Sequence, residues 1–114
     1  MSIFGPKEAS SWLMDCFKAS IPILKVLCDE TRLSILSMLS RCDMNGCEIT
    51  RAFCFSQPTI SYHMKQLVDA QLVIARKEGC AVIYSVNQEI WPHVRALLDV
   101  LCAVAKKKGE EVIE

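Results

Sequence analysis

The 114-residue sequence has no excess of either charge, thirteen Lys and Arg being matched by thirteen Asp and Glu. Non-specific nucleic-acid affinity comes largely from cations that neutralise phosphates, so binding by bulk charge is excluded and any such surface must be local. Even between Arg41 and Val86 the basic residues Arg41, Arg51, Lys65, Arg76 and Lys77 meet Asp43, Glu48, Asp69 and Glu78, a near balance. Although 52% of the residues are hydrophobic, no stretch approaches the roughly 18 uncharged apolar residues of a membrane span. The first twenty residues carry Lys7, Glu8, Asp15 and Lys18 and lack the apolar core, about 7–15 residues, of a signal peptide. A soluble, cytoplasmic protein with no membrane partner is expected. Only two histidines occur, with no Ser–His–Asp grouping, glycine-rich phosphate cradle or metalloprotease spacing. An enzyme is not expected.

What the chain does have is seven cysteines. In a reducing compartment these remain thiols, which makes them packing atoms, soft-metal ligands or redox sensors rather than bridges. The odd count agrees.

Hydrophobic spacing predicts a first helix from Pro6 to Lys18 and a second, short one from Pro22 to Cys28. Asp29 is a suitable N-cap for a helix over Glu30–Ser40, with Leu33, Leu36 and Leu39 as its buried stripe. Cys42–Gly46 reads as a loop by its Asp, Asn and Gly content, followed by a short helix from Cys47 to Phe53. Ser56 caps the next helix, in which Pro58 falls in the first turn and Ile60, Met64 and Leu67 fall at helical spacing. After Gln71 the period changes: Leu72–Ala75 and Ala81–Val86 are β-prone runs around the charged, Gly-containing tip Arg76–Cys80, a β-hairpin. The last helix, Gln88–Lys107, is too long and apolar for so small a chain to cover. It is expected to pair, with the first helix, against the same elements of a second copy.

The fold expected is therefore mainly α with a β-hairpin wing, a winged helix-turn-helix in a homodimer joined through its first and last helices. Residues 1–108 form the DNA-binding and dimerisation domain, and 109–114 a frayed tail. In such a fold the second helix of the motif enters the major groove by its N-terminal residues. Gln57 has the paired donor and acceptor that suit an adenine edge, Ser56, Thr59 and Ser61 suit base edges or sugar-phosphate, and Tyr62 carries a hydroxyl on a rigid arm. Lys65, Arg76 and Lys77 suit phosphates, which fix position rather than sequence.

The segments LCDETRLSILSMLS (27–40), SQPTISYHMKQLVDAQLV (56–73) and RKEGCAVIYSVN (76–87) resemble three consecutive signatures of the ArsR/SmtB family of metal- and metalloid-responsive repressors. The resemblance implies a homodimer that binds a palindromic double-stranded DNA operator and releases it when an inducer binds. The family's zinc-type site on the last helix is absent by pattern, since its start reads Asn87-Gln88-Glu89-Ile90 and only His93 follows. Of the Cys-x-Cys used for arsenic and cadmium, Cys47-Glu48-Ile49 keeps the second half and Asn45 stands at the first Cys.

Cys42 lies across the loop from Cys47 and is the nearest companion for it. Cys54 is seven residues on, about 10 Å along a helix axis, whereas two thiolates sharing an ion with bonds near 2.3 Å must lie within about 4 Å of each other. Cys16 of the first helix, or Cys102 of the last, is a third candidate. Thiolates favour As(III) or Sb(III), then Cd(II) or Pb(II), ahead of Ni(II) and Co(II). Cys28 and Cys54 read instead as small buried hydrophobes, and Cys80 as an exposed wing residue. Two other readings stay open: the same repressor switched by cysteine oxidation or persulfidation, and a winged-helix protein-interaction module without DNA function.

Overall fold

A computed structural model describes the backbone of residues 8–112 and the side chains of residues 18–103. The elements follow in the order α1 (Glu8–Leu27), α2 (Glu30–Leu39), β1 (Met44–Asn45), α3 (Gly46–Ala52), α4 (Gln57–Asp69), β2 (Val73–Glu78), β3 (Ala81–Val86) and α5 (Trp91–Val112). This is the winged helix-turn-helix arrangement, with α3 and α4 as the motif and β2–β3 as the wing. Two compact units divide the chain: Ile21–Asn87, and a second that takes α1 up to Ser20 together with α5.

Within Ile21–Asn87 the core is assembled from short contributions. Ile35, Leu36 and Leu39 come from α2, Ile49 from α3, Ile60, Met64 and Leu67 from α4, and Leu72 and Val73 from the entry to the wing, all buried. Each large side chain so buried stabilises the fold by about 1.5–3 kcal/mol before the entropy of ordering it. The α2 stripe differs from expectation at one end, because Leu33 is 51% exposed and Ile35 is buried in its place. Apolar residues surround α2 on several faces, so spacing alone does not choose the inward one.

Caps define the helix starts. The Asp29 carboxylate accepts from the Arg32 amide at 3.0 Å, and that hydrogen bond is the main reason its pKa lies below the ordinary 3.8. Helix α4 ends in a Schellman motif: Gln71 N–H donates to the Val68 carbonyl at 2.9 Å and Leu72 N–H to the Leu67 carbonyl at 3.0 Å. The position after the C-cap is left-handed, and here Gln71 occupies it at φ 65° where glycine is usual. Asn87 closes the junction, its side-chain amide donating to the Gln71 carbonyl at 2.7 Å.

Four boundaries differ from the sequence-based expectation. The first helix is continuous from Glu8 to Leu27 through Pro22. An interior proline removes one amide donor and costs about 3 kcal/mol, a penalty that the rest of this twenty-residue helix offsets. The supposed loop at Cys42–Gly46 contains β1, whose Met44 and Asn45 pair antiparallel with Tyr84 and Ile83 of β3, giving a three-stranded sheet of order β1-β3-β2. Two residues are too few to display a period. Arg76, Lys77 and Glu78 lie in strand β2 rather than at the tip, opposite Ile83, Val82 and Ala81, and the turn is made by Gly79, at φ 63°, with Cys80. Helix α5 starts at Trp91 and runs past Gly109 to Val112; a single interior glycine, at about 1 kcal/mol, is too small a penalty to stop it. Among the described residues no helix is long and apolar enough to cross a membrane.

Candidate nucleic-acid interface and thiol cavity

Helix α4 has two opposed faces. Ile60, Met64 and Leu67 are at most 2% exposed, and that anchoring turns Gln57, Ser61, Tyr62 and Lys65 to solvent. Ser56 caps the helix, its hydroxyl accepting from the Thr59 amide at 3.4 Å and lying 3.0 Å from the Thr59 hydroxyl. Both side chains therefore satisfy each other in the free chain. Thr59 is half-buried; Tyr62, at 56%, is among the most exposed large side chains described.

Arg32 of α2 organises this face, a role that its position in the sequence did not signal. Its Nε donates to His63 Nδ1 at 3.1 Å, its Nη1 donates to the Val26 carbonyl at 3.3 Å, and its guanidinium lies 5.8 Å from the Tyr62 ring centroid. The hydrogen bond requires His63 Nδ1 to be the unprotonated ring nitrogen. Tyr62 and His63 also meet edge to face, with centroids 5.5 Å apart. One side chain thus ties the end of α1 and the start of α2 to two residues of α4.

The three basic residues expected to meet phosphates are not equivalent. Lys65 pairs with Asp69 at 3.1 Å. Arg76 lies between Glu78, at 2.6 Å, and Asp43, at 3.3 Å, and those two hydrogen bonds raise its pKa above the ordinary arginine value. Such exposed pairs are weak and yield to a competing anion. Lys77 has no ion pair among the described residues.

Beside this face lies an open cavity of about 490 Å³, with Asn45, Cys47, Gln57, Ser61, Cys80 and Tyr84 among its walls. It joins the start of α3, the start of α4 and the tip of the wing. Asn45, at the place of the absent cysteine, serves instead as the cap of α3. Its carboxamide oxygen accepts from the Glu48 amide at 2.9 Å, while Glu48 Oε1 accepts from the Asn45 amide at 2.8 Å, a complete capping box.

The thiols are distributed differently from expectation. Cys28 and Cys54 are exposed rather than buried, as are Cys42, Cys47, Cys80 and Cys102. Cys28 falls in the bend between α1 and the Asp29 cap, and Cys54 in the turn of the motif between Phe53 and Phe55, whose rings stack at 6.2 Å. Cys47 is on the cavity wall, whereas Cys42 is not; Cys80, which the sequence pattern marked only as an exposed wing residue, is. Cys102 lies on α5, and the Cys16 side chain is outside the described residues. Among the described residues no three of His, Cys, Asp and Glu are grouped closely enough to hold a metal ion.

The profile of the bacterial regulatory proteins of the arsR family matches residues 29–75. An arsenical resistance operon repressor of Staphylococcus xylosus is 41% identical over 101 residues, covering 83% of this chain and 97% of that protein. The corresponding repressor of Staphylococcus aureus is 41% identical over 85 residues, 75% of this chain and 82% of the relative. Among solved structures, a homodimeric winged helix-turn-helix DNA-binding domain from Mycobacterium bovis, a possible ArsR-family regulator, superposes with a TM-score of 0.62 at 26% identity, covering 90% of this chain and 91% of that one. All of these are regulators with a DNA-binding fold, not enzymes.

Proposed function

The chain belongs to the arsR family of bacterial regulatory proteins, and on that basis we propose that it is a homodimeric repressor that releases a palindromic DNA operator when a thiophilic metal or metalloid binds its cysteine thiolates. The observation that carries the reading is the outward face of α4, where Gln57, Ser61, Tyr62 and Lys65 stand clear of a fully buried opposite face. Gln57 and Tyr62 read bases, Ser56, Thr59 and Ser61 contact bases or backbone, and Lys65, Arg76 and Lys77 take phosphates. Ile21 and Leu24 of α1, with Leu98, Val100 and Leu101 of α5, are each 38–49% exposed, which supports burial of both helices against a second copy.

The inducer is As(III) or Sb(III), with Cd(II) or Pb(II) as the next candidates. The 41% identity to arsenical resistance repressors supports this order, and so does the softness of thiolate ligands. Cys47 is the central ligand, and the sequence offers Cys42, Cys16 and Cys102 as thiols to complete the set. Binding favours a dimer shape whose two α4 helices no longer fit successive major grooves, for which a coupling of about 1–3 kcal/mol is enough. The exposure of all six described cysteines also suits a second reading, in which oxidation or persulfidation is the trigger.

The test is an anisotropy titration with a duplex recovered by selection. Arsenite is expected to release the parent protein and to leave Cys47→Ser bound. Release by peroxide or persulfide but by none of the four ions would favour the second reading. Binding to no selected duplex would leave a protein-interaction module.

A further inference from the structure

The cavity beside α4 brings together two cysteines that are far apart in sequence. Cys47 stands in the first turn of α3 and Cys80 in the wing turn, and both line the same space of about 490 Å³. An ordered connection runs between them: Asn45 pairs with Ile83, the β2–β3 ladder continues to Glu78 opposite Ala81, and the wing turn directly precedes β3, the strand that holds the entry to α3. Both thiols are exposed and free. On the same walls are Gln57 and Ser61, two of the side chains assigned above to DNA.

We propose that Cys47 and Cys80 are the two thiolate ligands of a trivalent arsenical bound in this cavity. The inference rests on the repressor reading above and specifies its inducer site. It replaces the sequence-adjacent partner Cys42, which does not line the cavity, by a wing residue that does.

The chemistry is ligand exchange without change of oxidation state. Arsenite, As(OH)₃, meets two thiols; two S–As bonds form, two As–OH bonds break, and each departing hydroxide leaves as water with a thiol proton. One hydroxyl stays on arsenic. Two sulfurs on one ion must lie within about 4 Å of each other, so the bound ion clamps the wing turn to the first turn of α3. It also occupies the space beside Gln57 and Ser61. DNA release then has a local cause in addition to any change between subunits: a wing fixed in one position, and a blocked approach to the start of α4.

Phenylarsine oxide, which takes two thiols, is the first probe. The full-length protein is treated with it, alkylated with iodoacetamide, digested and mapped. Cys47 and Cys80 are expected to be protected together at one equivalent. Alkylation of Cys80 at saturating probe, whatever happens at Cys42, overturns the proposal. The second measurement compares parent and Cys80→Ser for arsenite-driven operator release. The variant is expected to bind operator like the parent without arsenite and to need at least about tenfold more arsenite for release, the equivalent of ~1.4 kcal/mol. Release at the parental concentration overturns the site. The two readings fail separately. If arsenite never releases the parent from DNA, the repressor switch is wrong while joint protection still identifies the arsenical site. If the parent responds and Cys80 is irrelevant, the switch stands and the site lies elsewhere.

Discussion

Helices α3 and α4 both begin with a side chain folded back onto an amide, yet their starts are secured to different degrees. At α3 the exchange is reciprocal, with Asn45 and Glu48 bonded both ways at 2.9 and 2.8 Å. At α4 the Ser56 hydroxyl makes a single long bond of 3.4 Å to the Thr59 amide and shares its remaining capacity with the Thr59 hydroxyl. The contrast separates holding from reading. A capping box uses up its own donors and acceptors and gives α3 a fixed origin, next to Cys47. A loosely tied serine at the head of α4 leaves hydroxyls and amides that a phosphate or base edge can claim.

The largest expected effect breaks the reading side alone. Gln57→Ala and Tyr62→Ala should each weaken operator binding by about 1–3 kcal/mol, Gln57→Ala with no loss of thermal stability and Tyr62→Ala with only the small loss of its contacts to Arg32 and His63, checked by anisotropy and thermal melts. Lys77→Ala should instead weaken all duplexes alike and reduce the slope of log affinity against log salt by about one. An operator affinity unchanged in both α4 variants would remove that helix face from recognition.

The next test bears on the caps themselves. Asn45→Ala should lower stability by about 1–2 kcal/mol, and Ser56→Ala by about 0.5 kcal/mol, at the lower end of the range for such caps. Equal losses in denaturant unfolding would show that the two starts are held alike.

A third cap, at α2, adds a pH dependence. The Asp29 carboxyl is held below its ordinary 3.8, chiefly by the Arg32 amide and with help from the charge of the Arg32 guanidinium. A depressed carboxyl contributes stability above its unfolded value and loses it as pH falls through the lower folded value. Asp29→Ala should therefore cost about 1 kcal/mol at neutral pH, and the gap to the parent should narrow below pH 3.8. A gap that stays constant from neutral pH down through that range would contradict a charged cap.

The smallest effect is a gain. Gln71→Gly places the unhindered residue at the left-handed position and should raise stability by about 0.5–1 kcal/mol, provided the Asn87 bond to the backbone carbonyl persists.

Local chemistry makes part of this legible in advance. Asp29 and Ser56 are recognisable as caps because short polar side chains before an apolar period satisfy free amides, and Ile60, Met64 and Leu67 are recognisable as an inward face because nothing disturbs their spacing. The wing is legible from a change of period, although its turn lies farther along than the charges suggest. What local pattern cannot express is pairing at a distance. Nothing near Met44 announces Tyr84, and nothing near Arg32 announces His63. Asn45 is the instructive residue: in the sequence it reads as a ligand lost, and in the fold it is a helix start gained.

The two-residue strand β1 has a consequence larger than its length. It welds the entrance of α3 to the middle strand of the wing, so the hairpin is not an independent flap. In the proposed complex, a wing set against a duplex flank would carry the first turn of α3 with it, and anything that gripped that turn would be felt at the flank.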